Sequence, residues 1–429
     1  MRINWKKGPG YQKIESFSFP DFKSIKLTNQ IPVSVVNMGT QEIVRLDIVF
    51  RGARLLENKK MASKITSALM REGTQNLKSI EIAEQVDFYG SALRTGANLD
   101  YTFLSLSGLS RHFEKLLPLL EQILYSPVFP VDELEKYKKT NIQKLQLDLS
   151  KNELVNYRIF TENLYGHDHP YGYNTEEQFI QAINRDDLIQ HHQMAYGNNH
   201  CFMLLGGKIS DPMVQSLDRF LGHQQKISPP LYMPEIGGNS GHKRIIVPSK
   251  NKHQSSIKIG RRLFNRHHKD FAGFYVLNTI LGGYFGSRLM SSIREDQGLT
   301  YNIYSVIDHL IYDGYFYIET EVATGTEEKT IDEIYKQMEL LKTEPVSENE
   351  LQMVKNYLLG NFLNLIDGPL SVMSFLRSLE LDFADKSHFE KFVQEILTMN
   401  ADTLQQLAQK YFAKEDMLEV IVGGNLSTN

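Results

Sequence analysis

The sequence predicts an α+β protein of two homologous domains, each a mainly antiparallel sheet with helices packed on one face. Three observations lead to this prediction: segments of alternating polarity, amphipathic segments between and after them, and short motifs that recur in the same order in both halves. The length of 429 residues is sufficient for about two or three packed domains.

Hydrophobic periodicity places the individual elements. Alternating apolar and polar residues predict strands at residues 44–50, 102–107 and 315–320. Apolar residues at helical spacing predict helices at residues 61–71, 80–89, 111–124, 132–149 and 330–341. Because long helices follow pairs of strands and few short strand-helix-strand units recur, antiparallel sheets are favoured over a doubly wound parallel one.

A segment rich in proline and glycine, GHQQKISPPLYMPEIGGNSGH at residues 222–242, predicts a linker between a domain at 1–221 and a domain at 243–429. Motifs on its two sides pair in order. The pairs are Gly52-Ala53-Arg54-Leu55-Leu56 with Gly260-Arg261-Arg262-Leu263-Phe264, Gly90-Ser91-Ala92-Leu93 with Gly286-Ser287-Arg288-Leu289, Pro127-Val128 with Pro345-Val346, and Gly206-Gly207 with Gly423-Gly424. Four ordered matches favour a duplication.

Composition excludes several classes of protein. The chain has 47 Lys and Arg against 51 Asp and Glu, a formal net charge of −4, so a generally basic nucleic-acid binder is not expected. The single cysteine, Cys201, allows neither an intramolecular disulfide nor a thiolate zinc site, and its apolar neighbours indicate a buried strand. No apolar run suits a membrane span or a signal peptide, so we expect a cytoplasmic protein without a membrane partner.

No catalytic group stands out from the residues alone. The close histidine pairs at 167/169, 191/192 and 267/268 lack the i, i+4 spacing that places two imidazoles on one metal, so we expect structural or solvated roles. The segment at 282–287 lacks the Lys-Ser/Thr of a P-loop and predicts a tight turn before a helix, with Ser287 as its cap. A Ser/His/Asp set stays open, because triad members need not be neighbours in sequence.

Two segments of the second half are distinctive: LGGYFGSRL at 281–289 and IREDQGLTYNIYS at 293–305. Together with Gly52-Ala53-Arg54 and the segments at 97–102 and 166–172, they resemble the M16 zinc peptidases, the pitrilysin, insulinase or mitochondrial-processing-peptidase-like family, in its two-domain bacterial form. The resemblance extends over nearly the whole chain and implies a LuxS/MPP-like fold.

The resemblance also shows where the metal of that family would be held. Its inverted zinc motif, His-x-x-Glu-His, lies on a helix ending in Gly-Thr. Before Gly73-Thr74, this chain has Lys64 and Ala68 at the histidine positions and Ser67 at the general-base position. The third ligand, a glutamate on the long helix, falls at about Lys144.

An ammonium group has no lone pair for a metal and repels a dication. The resemblance therefore implies a member with no catalytic residue and no metal in this chain. Lys64 and Lys144 are then either solvated lysines or, together with Arg71, part of a basic cavity.

By the same resemblance, Arg294 and Tyr301 would bind the peptide carbonyl near the scissile bond. A guanidinium and a phenol can both donate hydrogen bonds to an oxygen that gains negative charge. From the residues alone, the alternative is that Arg294 pairs with Glu295 or Asp296 at a helix end and that Tyr301 begins a strand.

Some bacterial M16 members are heterodimers in which one chain has the zinc motif and its sister has the arginine and tyrosine. The resemblance therefore implies a non-catalytic subunit that binds extended peptides and completes the site of a homologous, Zn²⁺-binding partner. Without that partner, the chain could pair with itself. The alternatives are an inactive peptide-binding or scaffold protein without a protease partner, and an independent hydrolase that uses other groups.

Overall fold

The computed structural model describes residues 19–235, 242–249, 251 and 253–423. Residues 236–241 of the predicted linker, including Gly237, Gly238 and Gly241, lie outside this description, as does Gly424 of the last predicted motif. Among the described helices, none has the length and apolar character needed to span a bilayer.

The first half contains a six-stranded sheet. Its strands are β1 (Lys23–Lys26), β2 (Pro32–Asn37), β3 (Ile43–Arg51), β4 (Ala92–Ala97), β5 (Tyr101–Leu109) and β6 (Cys201–Gly207). They lie in the order β1-β2-β6-β3-β5-β4, and every pairing is antiparallel except that of β2 with β6. The predicted strands at 44–50 and 102–107 are β3 and β5.

The second half contains a five-stranded sheet with the same topology. Its strands are β7 (Lys243–Pro248), β8 (Gln254–Leu263), β9 (Thr300–His309), β10 (Gly314–Ala323) and β11 (Leu418–Gly423). Their order, β7-β11-β8-β10-β9, repeats β2-β6-β3-β5-β4, and the one parallel pairing, β7 with β11, corresponds to β2 with β6. The α+β prediction with mainly antiparallel sheets is confirmed, and the shared strand order supports a duplication.

Helices connect and cover the sheets. In the first half they are α1 (Ala62–Leu69), α2 (Ser79–Phe88), α3 (Phe113–Tyr125), α4 (Val131–Asp148), α5 (Asn152–Tyr165), α6 (Glu177–Ala182), α7 (Arg185–Ala195) and α8 (Asp211–Leu221). In the second half they are α9 (Phe271–Gly282), α10 (Glu327–Thr343), α11 (Glu348–Asn364), α12 (Pro369–Leu381), α13 (Lys386–Thr398) and α14 (Ala401–Tyr411). The five predicted helices are α1 to α4 and α10, with small differences at their ends.

Each half lends a helix to the other half's sheet. Helix α5 of the first half packs on β8 and β11, and α12 of the second half packs on β6 and β2. Strands β6 and β11 are consequently buried along their whole length. This two-sided burial explains the continuous apolar run Phe202-Met203-Leu204-Leu205 and the burial of Cys201 beside it.

Polar anchors fix α5 on the second sheet. The amide nitrogen of Asn156, a residue with no solvent exposure, donates hydrogen bonds of 2.9 Å to the carbonyl oxygens of Ser256 and Val420. One turn earlier, the Asn152 amide donates to the carbonyl of Gln254 at 2.7 Å. These bonds satisfy buried backbone acceptors and set the position of the helix along the strands.

The structure corrects one of the four repeat matches. Gly90 lies between α2 and β4 with φ 58°, whereas Gly286 precedes a helical segment that starts at Arg288. The true counterpart of Gly90 is Gly298, which has φ 62° and lies between a helical segment and β9. Gly298 follows Gly90 at the same spacing that separates Gly260 from Gly52. Both glycines allow a left-handed turn between a helix and an edge strand.

Replacing the buried anchor should weaken the contact between the halves. We expect Asn156→Ala to lower the free energy of unfolding by about 1–3 kcal/mol, because two buried carbonyl groups lose a donor. Urea denaturation followed by circular dichroism measures this change. The control is Gln143→Ala on the exposed face of α4, which should unfold like wild type; equal stability of the Asn156→Ala and control chains would contradict the role given to Asn156.

Candidate functional site

Helix α1 carries three of the four positions at which the resemblance implies metal ligands and a base. Lys64 is its one exposed residue, Ser67 is buried and Ala68 is half-buried. Lys144 is exposed on α4. The side chains of this set offer two ammonium groups, a hydroxyl and a methyl group, and no imidazole or carboxylate.

The two lysines lie near each other. Desolvation lowers the pKa of the Lys64 ammonium most, the positive charges of Arg54 and Lys144 lower this pKa further, and the negative charge of Asp148 opposes them. The third cation near Lys64 is therefore Arg54. Arg71, the residue expected to join them, donates from its guanidinium to the carbonyl of Leu93 at 2.9 Å and lies 3.5 Å from the Glu72 carboxylate.

These residues do not fit a zinc ion. A structural or catalytic Zn²⁺ needs three or four imidazole, thiolate or carboxylate ligands, and a cluster of cations repels it. No group of three or more His, Cys, Asp and Glu side chains within the described ranges could hold a metal ion elsewhere.

Two sequence motifs meet beside α1 through Arg54. Its guanidinium donates hydrogen bonds of 2.8 Å to the carbonyls of Pro170 and Tyr173 and stacks 3.8 Å from the centre of the Tyr173 ring. The ammonium of Lys60 donates to Asp168 of the same loop at 2.7 Å. The motif at 52–54 thus fixes the loop at 166–172 against the start of α1.

A carboxylate completes this junction. Glu57 accepts a hydrogen bond from the backbone N–H of Ser63 at 2.8 Å, which satisfies one of the free donors at the start of α1, and another from the Tyr173 hydroxyl. Burial raises the pKa of Glu57 to about 7, although the hydrogen bonds and the Arg54 charge oppose the shift.

Arg294 and Tyr301 lie side by side at the edge of the second sheet. Arg294 belongs to a π-helix, Met290–Asp296, and Tyr301 is the second residue of the edge strand β9. The guanidinium carbon of Arg294 lies 5.5 Å from the centre of the Tyr301 ring and 4.8 Å from that of Phe285. Tyr301 is 89% exposed and Phe285 is 64% exposed.

The two alternatives for these residues have different outcomes. Tyr301 does stand at the start of a strand, as the simpler interpretation holds. In the described part of the chain, no carboxylate lies within 4.0 Å of the Arg294 guanidinium, including those of Glu295 and Asp296. Its charge is held instead between two aromatic rings.

A cavity of about 680 Å³ adjoins Tyr301 and extends along β9 and β10 to the start of α5. Glu153, Glu319 and Glu321 contribute carboxyl groups to its lining. Burial raises the pKa of Glu321, and the charges of Glu153 and Glu319 raise it further. Glu319 is paired with the buried Lys258 ammonium at 2.5 Å, so the remaining negative charge of the cavity comes from Glu153 and Glu321 and is complementary to positively charged groups.

Three other residues singled out in the sequence are buried: His191, His192 and Ser287. His191 and His192 are buried, burial lowers their pKa to about 4 and about 3, and the His192 ring nitrogen Nε2 lies 2.8 Å from the Leu124 carbonyl oxygen. Ser287 precedes a helical segment as expected, but its buried hydroxyl has no hydrogen-bond partner in the described structure, so the predicted side-chain cap is wrong.

Phe285 and the π-helix are features of the site that the sequence does not predict. Phe285 lies in the glycine-rich segment that was interpreted as a turn, and a large apolar residue inside a turn was the available signal. The π-helix has no simple signature in the sequence, because its side chains follow the periodicity of an α-helix except for one inserted residue.

Glu57 should make stability depend on pH. Between its ordinary pKa of 4.5 and about 7, the folded chain binds more protons at Glu57 than the unfolded chain, so the contribution of this group to stability falls as the pH rises. We expect wild type to lose up to about 3 kcal/mol relative to Glu57→Gln between pH 4.5 and pH 8. Urea denaturation of both chains measures the difference; parallel pH profiles would contradict the shift.

The substituted zinc positions should leave the chain indifferent to zinc. We expect no change in Tm on addition of one equivalent of Zn²⁺ or of a strong chelator, because Lys64, Ser67, Ala68 and Lys144 supply no ligand set. Thermal denaturation and elemental analysis of the dialysed protein test this. One equivalent of retained zinc would show that another set of ligands exists.

Comparisons with known proteins agree with this picture. Residues 182–358 match the Peptidase M16 inactive domain. The "Uncharacterized zinc protease YmxG" of Bacillus subtilis is 24% identical over 357 residues, which cover 82% of this chain and 85% of that protein. The "Non-peptidase homolog YmxG" of Helicobacter pylori is 25% identical over 328 residues, which cover 74% of each chain.

A solved structure shows the same fold. The crystal structure of a peptidase M16 inactive domain from Pseudomonas fluorescens has a TM-score of 0.83 and 22% identity, and the match covers 96% of this chain and 100% of that one. The resemblance on which the sequence analysis relied is confirmed, because the family's inactive domain matches in sequence and its fold matches over nearly the whole chain. Residues 182–358 therefore match the inactive domain of the M16 peptidase family, and the chain as a whole has the fold of the solved M16 inactive domain.

Proposed function

We propose that this chain is the non-catalytic subunit of a heterodimeric M16-type zinc endopeptidase, in which Arg294 and Tyr301 complete the active site of a homologous partner. The partner would supply the zinc ion and the activated water. This chain would contribute binding and positioning of the peptide. The observation that carries the proposal is the pairing of Arg294 with an exposed Tyr301 in a chain whose zinc positions hold lysines.

The state of Arg294 supports a role toward an external group. Its guanidinium is held by the rings of Phe285 and Tyr301 and has no carboxylate partner among the described residues. A cation held in this way keeps its hydrogen-bond donors for another molecule. The Tyr301 hydroxyl, on a side chain that is 89% exposed, adds a second donor beside it.

The position of the pair suits an extended peptide. Strand β9 is at the edge of its sheet, so one row of its backbone N–H and C=O groups has no strand partner. A peptide that adds as a further strand would form backbone hydrogen bonds there with little dependence on its sequence. The acidic cavity beside Tyr301 would favour peptides with basic side chains near this point.

Lysines at the metal positions support a division of tasks between this chain and a zinc-binding partner. Lys64, Lys144 and Arg54 concentrate positive charge where the family would hold its metal, so this chain cannot cut a peptide by zinc chemistry of its own. Binding of the peptide and cleavage of its bond would therefore belong to different chains.

The test combines this chain with an M16 protein from the same organism that has an intact His-x-x-Glu-His motif. We expect neither chain alone to hydrolyse a fluorogenic peptide efficiently, and the mixture to do so. Arg294→Ala should lower kcat/KM of the mixture by about 100-fold, and Tyr301→Phe by about 10-fold, because each removes a donor to the developing oxyanion. Arg219→Ala, at an exposed arginine of α8, is the matched control.

Association is measured separately by size-exclusion chromatography with light scattering, so that loss of activity is not confused with loss of the complex. Full activity of an assembled Arg294→Ala complex would favour the scaffold alternative. Hydrolysis by this chain alone in the presence of a strong chelator would favour the independent hydrolase.

A further inference from the structure

The second half contains a larger cavity that the proposed function does not use. It has a volume of about 940 Å³ and lies among α9, α11, α12 and α13. It shares no lining residue with the cavity beside Tyr301, and neither Arg294 nor Phe285 reaches it. Its volume is in the range of pockets that enclose a small organic ligand.

Aromatic rings form one wall of this cavity. The six rings are those of Phe271, Tyr275, Phe362, Phe375, Phe389 and Phe392. They touch one another in a continuous set, with ring centres 4.5 Å apart for Phe375 and Phe389 and 5.5 Å apart for Tyr275 and Phe392. A wall of mutually packed rings is rigid and apolar, so it suits an aliphatic or aromatic body.

The rim of the cavity is positively charged. Four cationic side chains line it, Arg45, Arg266, Lys269 and Lys391, against two carboxylates, Asp382 and Glu395. This excess is opposite in sign to the formal charge of the whole chain, −4. Three of these four cations have carboxylate partners. Arg45 is paired with the buried Asp47 at 2.8 Å, Arg266 with Asp382 at 2.7 Å, and Lys391 lies 3.8 Å from Glu395 in a pair exposed to solvent.

Lys269 differs from the other cations at the rim. It is exposed at the start of α9 and forms no ion pair with any carboxylate of the described chain. The neighbouring His267, His268 and His388 also line the cavity, and each has a ring nitrogen within hydrogen-bond distance of another group of the protein. Lys269 is therefore the rim cation without a carboxylate partner in the described chain, and an anionic head group would balance its charge.

From the combination of an aromatic wall and a cationic rim, we infer that this cavity binds a long-chain carboxylate. The aliphatic chain lies against the six rings, and the carboxylate head lies among the cations of the rim. The N-terminal segment of the chain is a poor alternative occupant. Phe19 packs 5.2 Å from Phe375 beside the cavity, but residues 1–18 contain four basic side chains and one acidic one, which repel the rim.

Occupancy of the cavity has a consequence for the fold. Helix α12 lines it with Leu370, Ser371 and Phe375 and packs on strands β2 and β6 of the first half. A ligand held against α12 should therefore stabilise the contact between the halves and raise the Tm of the whole chain.

The experiment uses the full chain and three probes: laurate below its micellar concentration, dodecanol as the neutral chain, and inorganic phosphate as an anion without a chain. Binding is measured by displacement of 8-anilinonaphthalene-1-sulfonate and by calorimetry. We expect laurate to bind at least about tenfold more tightly than dodecanol, and phosphate not to displace the dye. Laurate should also raise the Tm.

Two variants locate the site. The double variant Lys269→Glu/Lys391→Glu should weaken laurate binding by about tenfold or more and leave dodecanol binding unchanged, whereas Lys329→Glu, at an exposed lysine of α10, should change neither. Ser371→Trp should fill the cavity and abolish binding of both, with circular dichroism as the check on folding. Arg294→Ala should bind laurate like wild type, since the two sites are separate.

Three outcomes would overturn the inference. Equal affinity for laurate and dodecanol would mean that the rim does not recognise the charge. Equal weakening by the Lys329 variant would mean that laurate responds to general surface charge. Unchanged binding in a folded Ser371→Trp chain would place the ligand elsewhere.

Discussion

The exchange of helices between the halves is the constraint on which the rest of this structure depends. Because α5 covers the second sheet and α12 covers the first, β6 and β11 are buried on both faces. The buried Asn156 anchor shows that this exchange is specified by hydrogen bonds as well as by apolar packing. It also places Glu153, a residue of the first half, in the lining of the cavity beside Tyr301. Neither half could form that cavity alone.

Lys64 and Lys144, at the positions where the family has metal ligands, change the chemistry that this fold can support. The Gly-Ala-Arg motif, the loop at 166–172 and Glu57 still hold α1 in place, so the local architecture persists without a ligand set. A chain that keeps this architecture without the metal ligands is the pattern expected of a protein that binds but does not catalyse. The proposed binding site is the exposed Tyr301 beside the aromatic-flanked Arg294.

Much of the fold could be predicted from the sequence, because amphipathic helices such as α3 and alternating strands such as β10 have a single buried face and therefore a clear period. Helix α9 has little contrast between its faces, since nearly all its residues are buried, and so gave no periodic signal. The match of Gly90 to Gly286 was wrong because a Gly-Ser pair fits both a turn before a strand and a turn before a helix.

The candidate site could be predicted in part. Arg294 and Tyr301 were named from a motif, and the structure brings them together, while their action on a peptide stays a proposal. The nearness of Lys64 to Lys144 followed from the resemblance alone. The sequence does not indicate that Arg54, and not Arg71, is the arginine near Lys64, since this depends on which way a long side chain points. The cavity among α9, α11, α12 and α13 is built from helices distant in sequence.

The π-helix that carries Arg294 has a consequence for how such chains diverge. A π turn contains one residue more than an α turn, and each α-helical residue rotates the next side chain by about 100°. Loss of a single residue between Met290 and Arg294 would restore ordinary winding and turn the guanidinium away from the Tyr301 ring. The peptide recognition proposed at this edge could then be absent from a relative that retains both side chains, because the presence of an arginine and a tyrosine in the sequence does not guarantee their geometry.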